Sequence, residues 1–195
     1  MQPAVFLDRD DTLIEANALP APGPPAARGD VVSPGSVRLL PGVRGACARL
    51  VNGGFVLVVI TNQGAVARGA LGPVGVERVN ERVRELLDPV RLGAVYFCPF
   101  HPRGSVPAFT AEHPWRKPAG GMILAAAGEL GLDLGRSWFV GDAARDVEAG
   151  IAAGVPASRC LRIGPDQPWR DLAGAADAIL SSTDAQVSAE TRDVR

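Results

Sequence analysis

Two aspartates near the start of the chain, Asp8 and Asp10, have the spacing that points most directly to chemistry. They follow residues 4–7, an apolar run with the pattern of a buried strand. Residues i and i+2 of an extended chain point to the same face, so both carboxylates project together. Such a pair is stable when a cation lies between the two groups or when one holds a proton. The pair predicts a cation site or a proton-transferring acid, with a polar turn as the alternative.

Polar residues follow other apolar runs in the same way. They are Thr61 and Asn62, then Arg116 and Lys117, then Asp142 and Asp146. The acids suit Mg²⁺, which prefers oxygen ligands, whereas the hydroxyl, amide and ammonium groups suit an anion. Each motif alone has an ordinary interpretation as a helix cap or a solvated loop. Their combination indicates a site that binds a metal ion and an anion together.

Lys117 is the only lysine among the 20 basic residues of the chain. An ammonium group is a compact point charge, whereas a guanidinium group is a broad planar fork. One lysine has to fall somewhere, so the count alone decides little. Its position among the other polar motifs favours a site that needs the smaller cation.

An alternation of two patterns predicts the elements that position these residues. Strand-like apolar runs occur at 4–7, 55–61, 94–98, 138–141, 160–163 and 178–180. Helical apolar stripes lie between most of them, at 43–51, 76–86, 122–130 and 144–153. This order predicts an α/β fold with a doubly wound parallel sheet, whose ligands bind beyond the carboxyl ends of the strands.

The bulk properties limit the partners and the organisation. The length of 195 residues predicts one domain over residues 1–181, with the polar residues 182–195 as an unstructured tail. A formal net charge of −1 offers no basic field for nucleic acid. The sequence shows neither a signal peptide nor an apolar run of membrane-spanning length, so we expect a cytoplasmic monomer with no membrane partner.

Two proline-rich segments interrupt the alternation. Residues 14–41 directly follow the acidic pair and are a candidate flap over the site. Residues 98–118 contain both histidines of the chain, His101 and His113. Loops of this length usually have a function or are disordered.

The order of these motifs resembles that of the haloacid dehalogenase (HAD) superfamily of phosphohydrolases. The matching residues are the segment 8–12 (DRDDT), Thr61, Lys117 and the segment 141–146. The stretches FLDRDDTL, VVITNQGAVARG and VGDAARDVEAG are similar to those of the phosphatases of D-glycero-D-manno-heptose 1,7-bisphosphate and of histidinol phosphate. The resemblance implies a Rossmann-like core without a large cap domain, in which loop insertions shape the substrate pocket.

The resemblance also implies roles for the acids. Asp8 is expected to attack phosphorus and form an aspartyl-phosphate. Asp10 is expected to protonate the leaving oxygen and then to deprotonate water. Mg²⁺ is expected to bind the Asp8 carboxylate, the Asp10 backbone carbonyl and Asp142, with Asp146 in support.

The remaining site residues are expected to bind phosphate. Thr61, Asn62 and Lys117 would contact the transferring group. Arg116 is a further candidate, for a second phosphate or a sugar hydroxyl.

The loop before Lys117 departs from the pattern of those phosphatases, which hold a structural zinc with Cys-x-His and Cys-x-Cys. In this chain the first pair of positions holds Cys98 and Phe100, and the second pair holds His113 and Trp115. Phe100 and Trp115 cannot bind zinc. Cys98, His101 and His113 offer three ligands, whereas a closed zinc site needs four. Zinc is therefore not expected, and Phe100 and Trp115 are predicted to pack together instead.

The most specific expectation is a Mg²⁺-dependent phosphatase that removes the 7-phosphate of a heptose bisphosphate. Histidinol phosphate or another small sugar phosphate is the alternative substrate, since the core motifs do not separate them. A phospho-accepting signalling domain is the alternative of another class. Such a domain lacks an acid two residues beyond its phosphorylated aspartate, so Asp10 favours the enzyme.

Overall fold

The computed structural model describes residues 1–193, and residues 183–193 by their backbone alone. The described residues form a parallel sheet with the spatial order β3-β2-β1-β4-β5. Its strands are β1 (Ala4–Leu7), β2 (Val56–Asn62), β3 (Ala94–Cys98), β4 (Trp138–Gly141) and β5 (Cys160–Arg162). The chain first builds outward from β1 through β2 to β3 and then returns to the other side of β1. Strand order therefore reverses between β1 and β4, where doubly wound sheets bind ligands.

Helices cover both faces of this sheet. They are α1 (Val43–Asn52), α2 (Gly64–Ala67), α3 (Pro73–Leu87), α4 (Gly121–Leu130), α5 (Ala144–Ala153) and α6 (Leu172–Asp193). Buried side chains of α1, α3 and α6 join one hydrophobic cluster, and those of α4 and α5 join a second. The two-sided burial explains why the central strands are continuously apolar. The predicted α/β class with a doubly wound parallel sheet is confirmed, and the described residues contain no large cap domain.

The last predicted strand, residues 178–180, is wrong, because these residues lie within α6. Leu172, Ala175, Ala176 and Ile179 are buried and recur at i, i+3, i+4 and i+7, the spacing of one helix face. A short apolar run does not by itself distinguish a strand from a buried helix segment. None of the helices in the described part of the chain has the length and apolar character that a membrane span requires.

The predicted unstructured tail, residues 182–195, overlaps α6 as far as Asp193, and its last two residues lie outside the described residues. The segment from 181 to 193 contains neither proline nor glycine, so nothing in it interrupts a helix that starts at Leu172. The division into a domain over residues 1–181 and a tail stays a prediction.

Residues 14–41 form a loop whose two ends meet at its base. The Leu40 N–H donates to the Leu13 carbonyl at 3.0 Å, and the Glu15 N–H donates to the Arg38 carbonyl at 3.0 Å. Asp11, whose φ of 56° is left-handed, turns the chain into this loop. The loop therefore leaves the sheet directly behind Asp8 and Asp10, as expected for a segment that borders the site.

Candidate active site

The carboxyl ends of the central strands bring the predicted polar residues together. Asp8 directly follows β1, and its backbone N–H donates to the Val140 carbonyl of β4 at 3.0 Å. Asp142 directly follows β4, and Thr61 lies at the end of β2. Lys117 arrives from the long loop between β3 and α4. Because all strands are parallel, these residues share one edge of the sheet.

Lys117 lies at the centre of this group. Its Nζ is 2.6 Å from Asp8 Oδ1 and 2.7 Å from Asp146 Oδ1, and it donates to the Ile60 carbonyl at 2.8 Å. Only 2% of the residue is exposed. Burial acts to lower the pKa of Lys117, but the two carboxylates outweigh burial and raise it. The ammonium is therefore charged, which is the compact buried cation that the single lysine predicts.

The side chain of Asn62 binds the backbone of Lys117. Its side-chain amide donates to the Lys117 carbonyl at 3.0 Å and accepts from the Lys117 N–H at 3.0 Å. Both polar ends of the amide are thus used to hold the backbone of the loop. The amide positions Lys117, and the expectation that Asn62 binds phosphate stays a prediction.

Asp8 is a buried carboxyl in a crowded site. Burial is the largest influence on its pKa, and Asp146 and Asp10 add to it, whereas Lys117 opposes them. The balance raises the pKa of Asp8 to about 7. Negative charge at Asp8 is thus unfavourable until a further cation is present.

Three carboxylates could supply that cation with ligands. One oxygen each of Asp8, Asp142 and Asp146 lies within 4.8 Å of the others. Asp142 Oδ1 is buried and has no hydrogen-bond partner among the described residues. Burial, followed by the charge of Asp146, raises the pKa of Asp142. A buried, unpartnered carboxylate oxygen beside a second acid fits Mg²⁺, which prefers oxygen ligands and few carboxylates.

Asp146 has a supporting place in this group. Its Oδ2 accepts from the Ala143 N–H at 2.9 Å, and its Oδ1 faces Lys117. Asp146 Oδ1 thus has the Lys117 ammonium as its ion-pair partner, whereas Asp142 Oδ1 has neither a hydrogen bond nor an ion pair among the described residues. That Asp142 is the metal ligand and Asp146 supports it stays a prediction.

We expect Mg²⁺ to stabilise the protein more strongly as pH rises. Because the folded-state pKa of Asp8 is raised to about 7, its contribution to stability without metal is present at acid pH and is lost as pH rises through 7. Protons and Mg²⁺ compete for the carboxylate, so metal binding strengthens over the same range. Melting temperatures from pH 5.5 to 8.5, with Mg²⁺ or with a chelator, should diverge as pH increases.

The variant Asp8→Asn is the control for this titration. It has no carboxylate at position 8, so its two melting curves should stay much closer together. Curves for the unchanged protein that run parallel at every pH would contradict the assignment of Asp8 as a ligand.

Asp10 lies at the mouth of the site, and its side chain is 22% exposed. Its Oδ2 accepts from Gln63 Nε2 at 2.8 Å and lies 3.4 Å from the Thr61 hydroxyl. Gln63 also donates to Thr61 at 2.8 Å. Arg9 completes the surroundings with contacts to both carboxylate oxygens. Asp10 is thus oriented by fixed donors and still reaches the open side of the site.

Sequence reasoning did not assign roles to three residues of this site. Arg9 and Gln63 both bind Asp10, and the Asp11 carboxylate accepts from the backbone N–H groups of Ala16 and Asn17. The position of Arg9 between Asp8 and Asp10 was the one feature of the sequence that could have indicated a role for it. The contacts themselves depend on tertiary packing and could not be read from spacing.

A cavity of about 300 Å³ opens beside Asp10 and is lined by four arginines and four aspartates. Its basic lining residues are Arg28, Arg68, Arg116, Arg145 and His101. The loop 14–41 closes one side with Asn17 and Asp30. Asp30 accepts from Arg68 Nη2 through both carboxylate oxygens at 2.7 Å, which ties this loop to the segment after α2.

Arg116 contributes to this cavity from the residue before Lys117. Its Nη1 donates to the Phe100 carbonyl at 3.0 Å. Burial, together with the nearby Arg145 and Arg68, lowers the pKa of Arg116. Such crowding of positive charge is costly in the free protein and is relieved when an anion binds.

The loop 98–118 is held by stacked rings. The Phe100 and His113 rings are parallel, with centroids 4.1 Å apart, and the Trp115 ring lies edge-on to His113 at 6.2 Å. His113 therefore lies between the two rings that were predicted to pack directly together. Aromatic pairs at such distances add to the stability gained by burial.

The candidate zinc ligands have other partners in this arrangement. Nδ1 of His101 accepts from the Arg103 N–H, and Nδ1 of His113 accepts from the Trp115 N–H. Cys98 is buried, and burial raises the pKa of its thiol. Within the described residues these three side chains do not meet as a metal-ligating group. The expectation that zinc is not bound stays a prediction.

Comparison with known proteins extends the resemblance beyond the motifs. Residues 114–158 match a family model described as HAD-hydrolase-like. The chain is 36% identical over 182 residues to D-glycero-beta-D-manno-heptose-1,7-bisphosphate 7-phosphatase of Yersinia pestis, with coverage of 92% of this chain and 90% of the relative. It is 37% identical over 183 residues to the protein of the same name from Escherichia coli K12, with coverage of 92% and 89%.

Solved structures show the same architecture. A HAD-like phosphatase from Mesorhizobium loti matches with a TM-score of 0.75 and 32% identity, over 92% of this chain and 85% of that chain. The D,D-heptose 1,7-bisphosphate phosphatase of B. bronchiseptica, complexed with magnesium and phosphate, matches with a TM-score of 0.73 and 25% identity. That match covers 92% of this chain and 99% of the neighbour. The similarity therefore spans almost the whole of each protein.

Proposed function

The chain belongs to the HAD-like phosphatases, and we propose that it removes the 7-phosphate of D-glycero-D-manno-heptose 1,7-bisphosphate with the help of Mg²⁺. The observation that carries the proposal is its identity of 36–37% to heptose bisphosphate 7-phosphatases over 92% of the chain. The site supports it with a buried aspartate, a buried ammonium and an adjacent acid.

In the proposed first step, a carboxylate oxygen of Asp8 attacks phosphorus. The new bond joins this oxygen to phosphorus, and the bond from phosphorus to the sugar oxygen breaks. Asp10 gives its proton to the leaving sugar oxygen. Lys117, 2.6 Å from Asp8 Oδ1, places positive charge beside the atoms on which negative charge accumulates.

In the proposed second step, water attacks phosphorus of the aspartyl-phosphate. Asp10, now ionised, accepts a proton from the water, and the bond between phosphorus and the Asp8 oxygen breaks. Inorganic phosphate leaves, and both aspartates return to their starting protonation states. The same acid thus serves both steps in opposite directions.

Asp8 and Asp142 would hold Mg²⁺, and Asp146 would support them. When bound, the ion supplies positive charge that offsets the repulsion between the anionic nucleophile and the anionic phosphate. The buried unpartnered oxygen of Asp142 and the raised pKa of Asp8 both support this assignment.

The arginine-rich cavity beside Asp10 supports a substrate with two phosphates. One phosphate would lie at Asp8 and Lys117, and the cavity offers the fork of Arg116 for the other. A second phosphate would pair with Arg116, whose guanidinium contacts a backbone carbonyl, whereas Arg68 already pairs with Asp30. This is the feature that favours a bisphosphate over a monophosphate.

We expect Arg116→Met to weaken binding of the bisphosphate selectively. Loss of one charge-assisted contact should raise KM for the heptose bisphosphate about tenfold, which corresponds to about 1.4 kcal/mol. KM for a heptose or hexose monophosphate should change less than threefold. Steady-state kinetics on both substrates provide the comparison, and an equal rise in both KM values would contradict a role in holding the second phosphate.

A phosphate-release assay tests the proposed function. The purified protein with Mg²⁺ is given the α and β anomers of the heptose bisphosphate, histidinol phosphate and common sugar monophosphates. We expect kcat/KM for one heptose bisphosphate anomer to exceed that for every other substrate by at least about 100-fold. A preference for histidinol phosphate would replace the proposed substrate, and a lack of any phosphate release would refute the proposed activity.

The partners and location remain proposals of the same kind. We propose a cytoplasmic monomer that acts on a small phosphorylated metabolite. The near-neutral formal charge of −1 gives no reason to expect nucleic acid as a partner. Light scattering of the purified chain measures the oligomeric state.

A further inference from the structure

Arg9, the residue between the two aspartates, is buried to an unusual degree for its type. Only 1% of it is exposed, and it is the largest fully buried side chain among the described residues. Burial of a guanidinium group is costly unless its N–H groups are paired. Its Nη1 donates to Asn80 Oδ1 at 2.8 Å.

Asn80 reaches Arg9 from α3. The buried positions of α3, all of which the structure describes, are Val76, Val79, Asn80, Val83 and Leu87. Asn80 is the polar exception in this apolar stripe, and it is itself 1% exposed. Arg9 provides the partner of the Asn80 amide oxygen, whereas Asn80 Nδ2 is buried without a hydrogen-bond partner among the described residues. The pairing links α3 to the catalytic edge of the sheet.

The other side of the Arg9 fork holds Asp10. Nη2 lies 3.0 Å from Oδ1 and 3.1 Å from Oδ2, and Nε lies 3.2 Å from Oδ1. Gln63 approaches Oδ2 from the other strand end at 2.8 Å. Two donor groups from different elements thus fix both the place and the plane of the carboxylate.

We propose that Arg9, anchored by Asn80, is a positioning residue that holds Asp10 in the orientation needed for proton transfer. The inference rests on the proposed phosphatase function. A planar fork fixes the plane of a carboxylate, whereas an ammonium group at the same place supplies charge without this geometry. Small displacements of a proton donor are costly, because transfer requires hydrogen-bond distance to the reacting oxygen.

Arg9→Lys tests the inference, because it keeps the charge and removes the fork. We expect kcat for the heptose bisphosphate to fall about 30-fold while KM changes less than threefold. In an Asp10→Asn background the same substitution should lower kcat less than threefold, because the group that Arg9 positions is already lost. An equal loss in both backgrounds would show that Arg9 only supports the fold.

A substrate whose leaving group needs no proton gives a second readout. The p-nitrophenolate group of an aryl phosphate needs no proton, and kcat/KM reports the first step. Arg9→Lys should therefore lower kcat/KM for the aryl phosphate much less than for the sugar phosphate. Equal losses on the two substrates would overturn the inference.

Asn80→Leu keeps the test decisive if Arg9→Lys does not fold. It removes the anchor of Arg9 and should give the same pattern with a smaller loss of kcat. If both variants have the activity of the unchanged protein, the inference about Arg9 is wrong and the proposed function is unaffected. If the unchanged protein releases no phosphate from any substrate, the proposed function has failed instead.

Discussion

Asp8→Asn is expected to lower phosphate release at least about 10⁴-fold, the order of loss seen when a nucleophile is removed from an enzyme. An amide oxygen does not form the acyl phosphate, so the first step has no attacking group. The fold should not suffer to a comparable extent. Burial raises the pKa of Asp8 to about 7, so the site disfavours the charge that the amide lacks. Lys117 also keeps Asp146 and the Ile60 carbonyl as partners.

Two measurements separate loss of chemistry from loss of structure. Phosphate release is measured with saturating substrate and Mg²⁺, and the melting temperature is measured with a chelator at pH 7.5. Asp88→Asn makes the same change at an exposed position at the end of α3 and should leave kcat within twofold. Turnover by Asp8→Asn within 100-fold of the unchanged protein would refute the nucleophile assignment.

The acid cluster could be predicted from sequence because the place of each acid depends on the strand that it follows. Asp8 and Asp142 each follow a strand of buried apolar residues, and parallel strands end at the same edge. Asp146 lies one helical turn beyond Asp142, which directs it back to the same place. No contact between distant residues has to be known to place these acids at the carboxyl edge of the sheet. The order of the strands only decides that these ends are neighbours.

The contacts of Asn62 and Arg9 could not be predicted in this way. Asn62 directly follows Thr61 at a strand end, yet its amide is taken by the backbone of Lys117, 55 residues further on. Arg9 finds Asn80 on a helix 71 residues away. A hydrogen-bonding side chain accepts any partner of suitable chemistry, and only tertiary packing selects one. Sequence spacing therefore identifies the participants of the site better than it identifies their pairings.

The incorrect strand at residues 178–180 has a related cause. Three apolar residues in a row fit either element, and the neighbours that decide the matter are the buried residues Leu172, Ala175 and Ala176. Together with Ile179 they form the face that packs beside α1. A window that begins at Leu172 shows the helical spacing, whereas a window of strand length does not.

Lys117→Met is expected to affect both activity and stability, and it is the second large effect. Removing the ammonium leaves Asp8 and Asp146 buried without their cation, and breaking a buried ion pair costs about 3 to 5 kcal/mol in free energy of unfolding. The transferring phosphoryl group also loses a fixed positive charge, so kcat should fall about 10³-fold. Denaturant unfolding and phosphate release measure the two losses separately.

The pH dependence of this variant identifies its cause. Lys117 opposes the burial that raises the pKa of Asp8, so its removal raises the folded-state pKa of Asp8 further, and the contribution of Asp8 to stability is lost as pH rises. The deficit relative to the unchanged protein should therefore be larger at pH 8 than at pH 5.5. Arg116→Met is the matched control, because its half-buried guanidinium makes one hydrogen bond within the described part of the chain, to the Phe100 carbonyl, and its loss should cost less at both pH values. A deficit for Lys117→Met that is the same at both pH values, or no greater than that of Arg116→Met, would contradict the view that this ammonium holds the two buried carboxylates together.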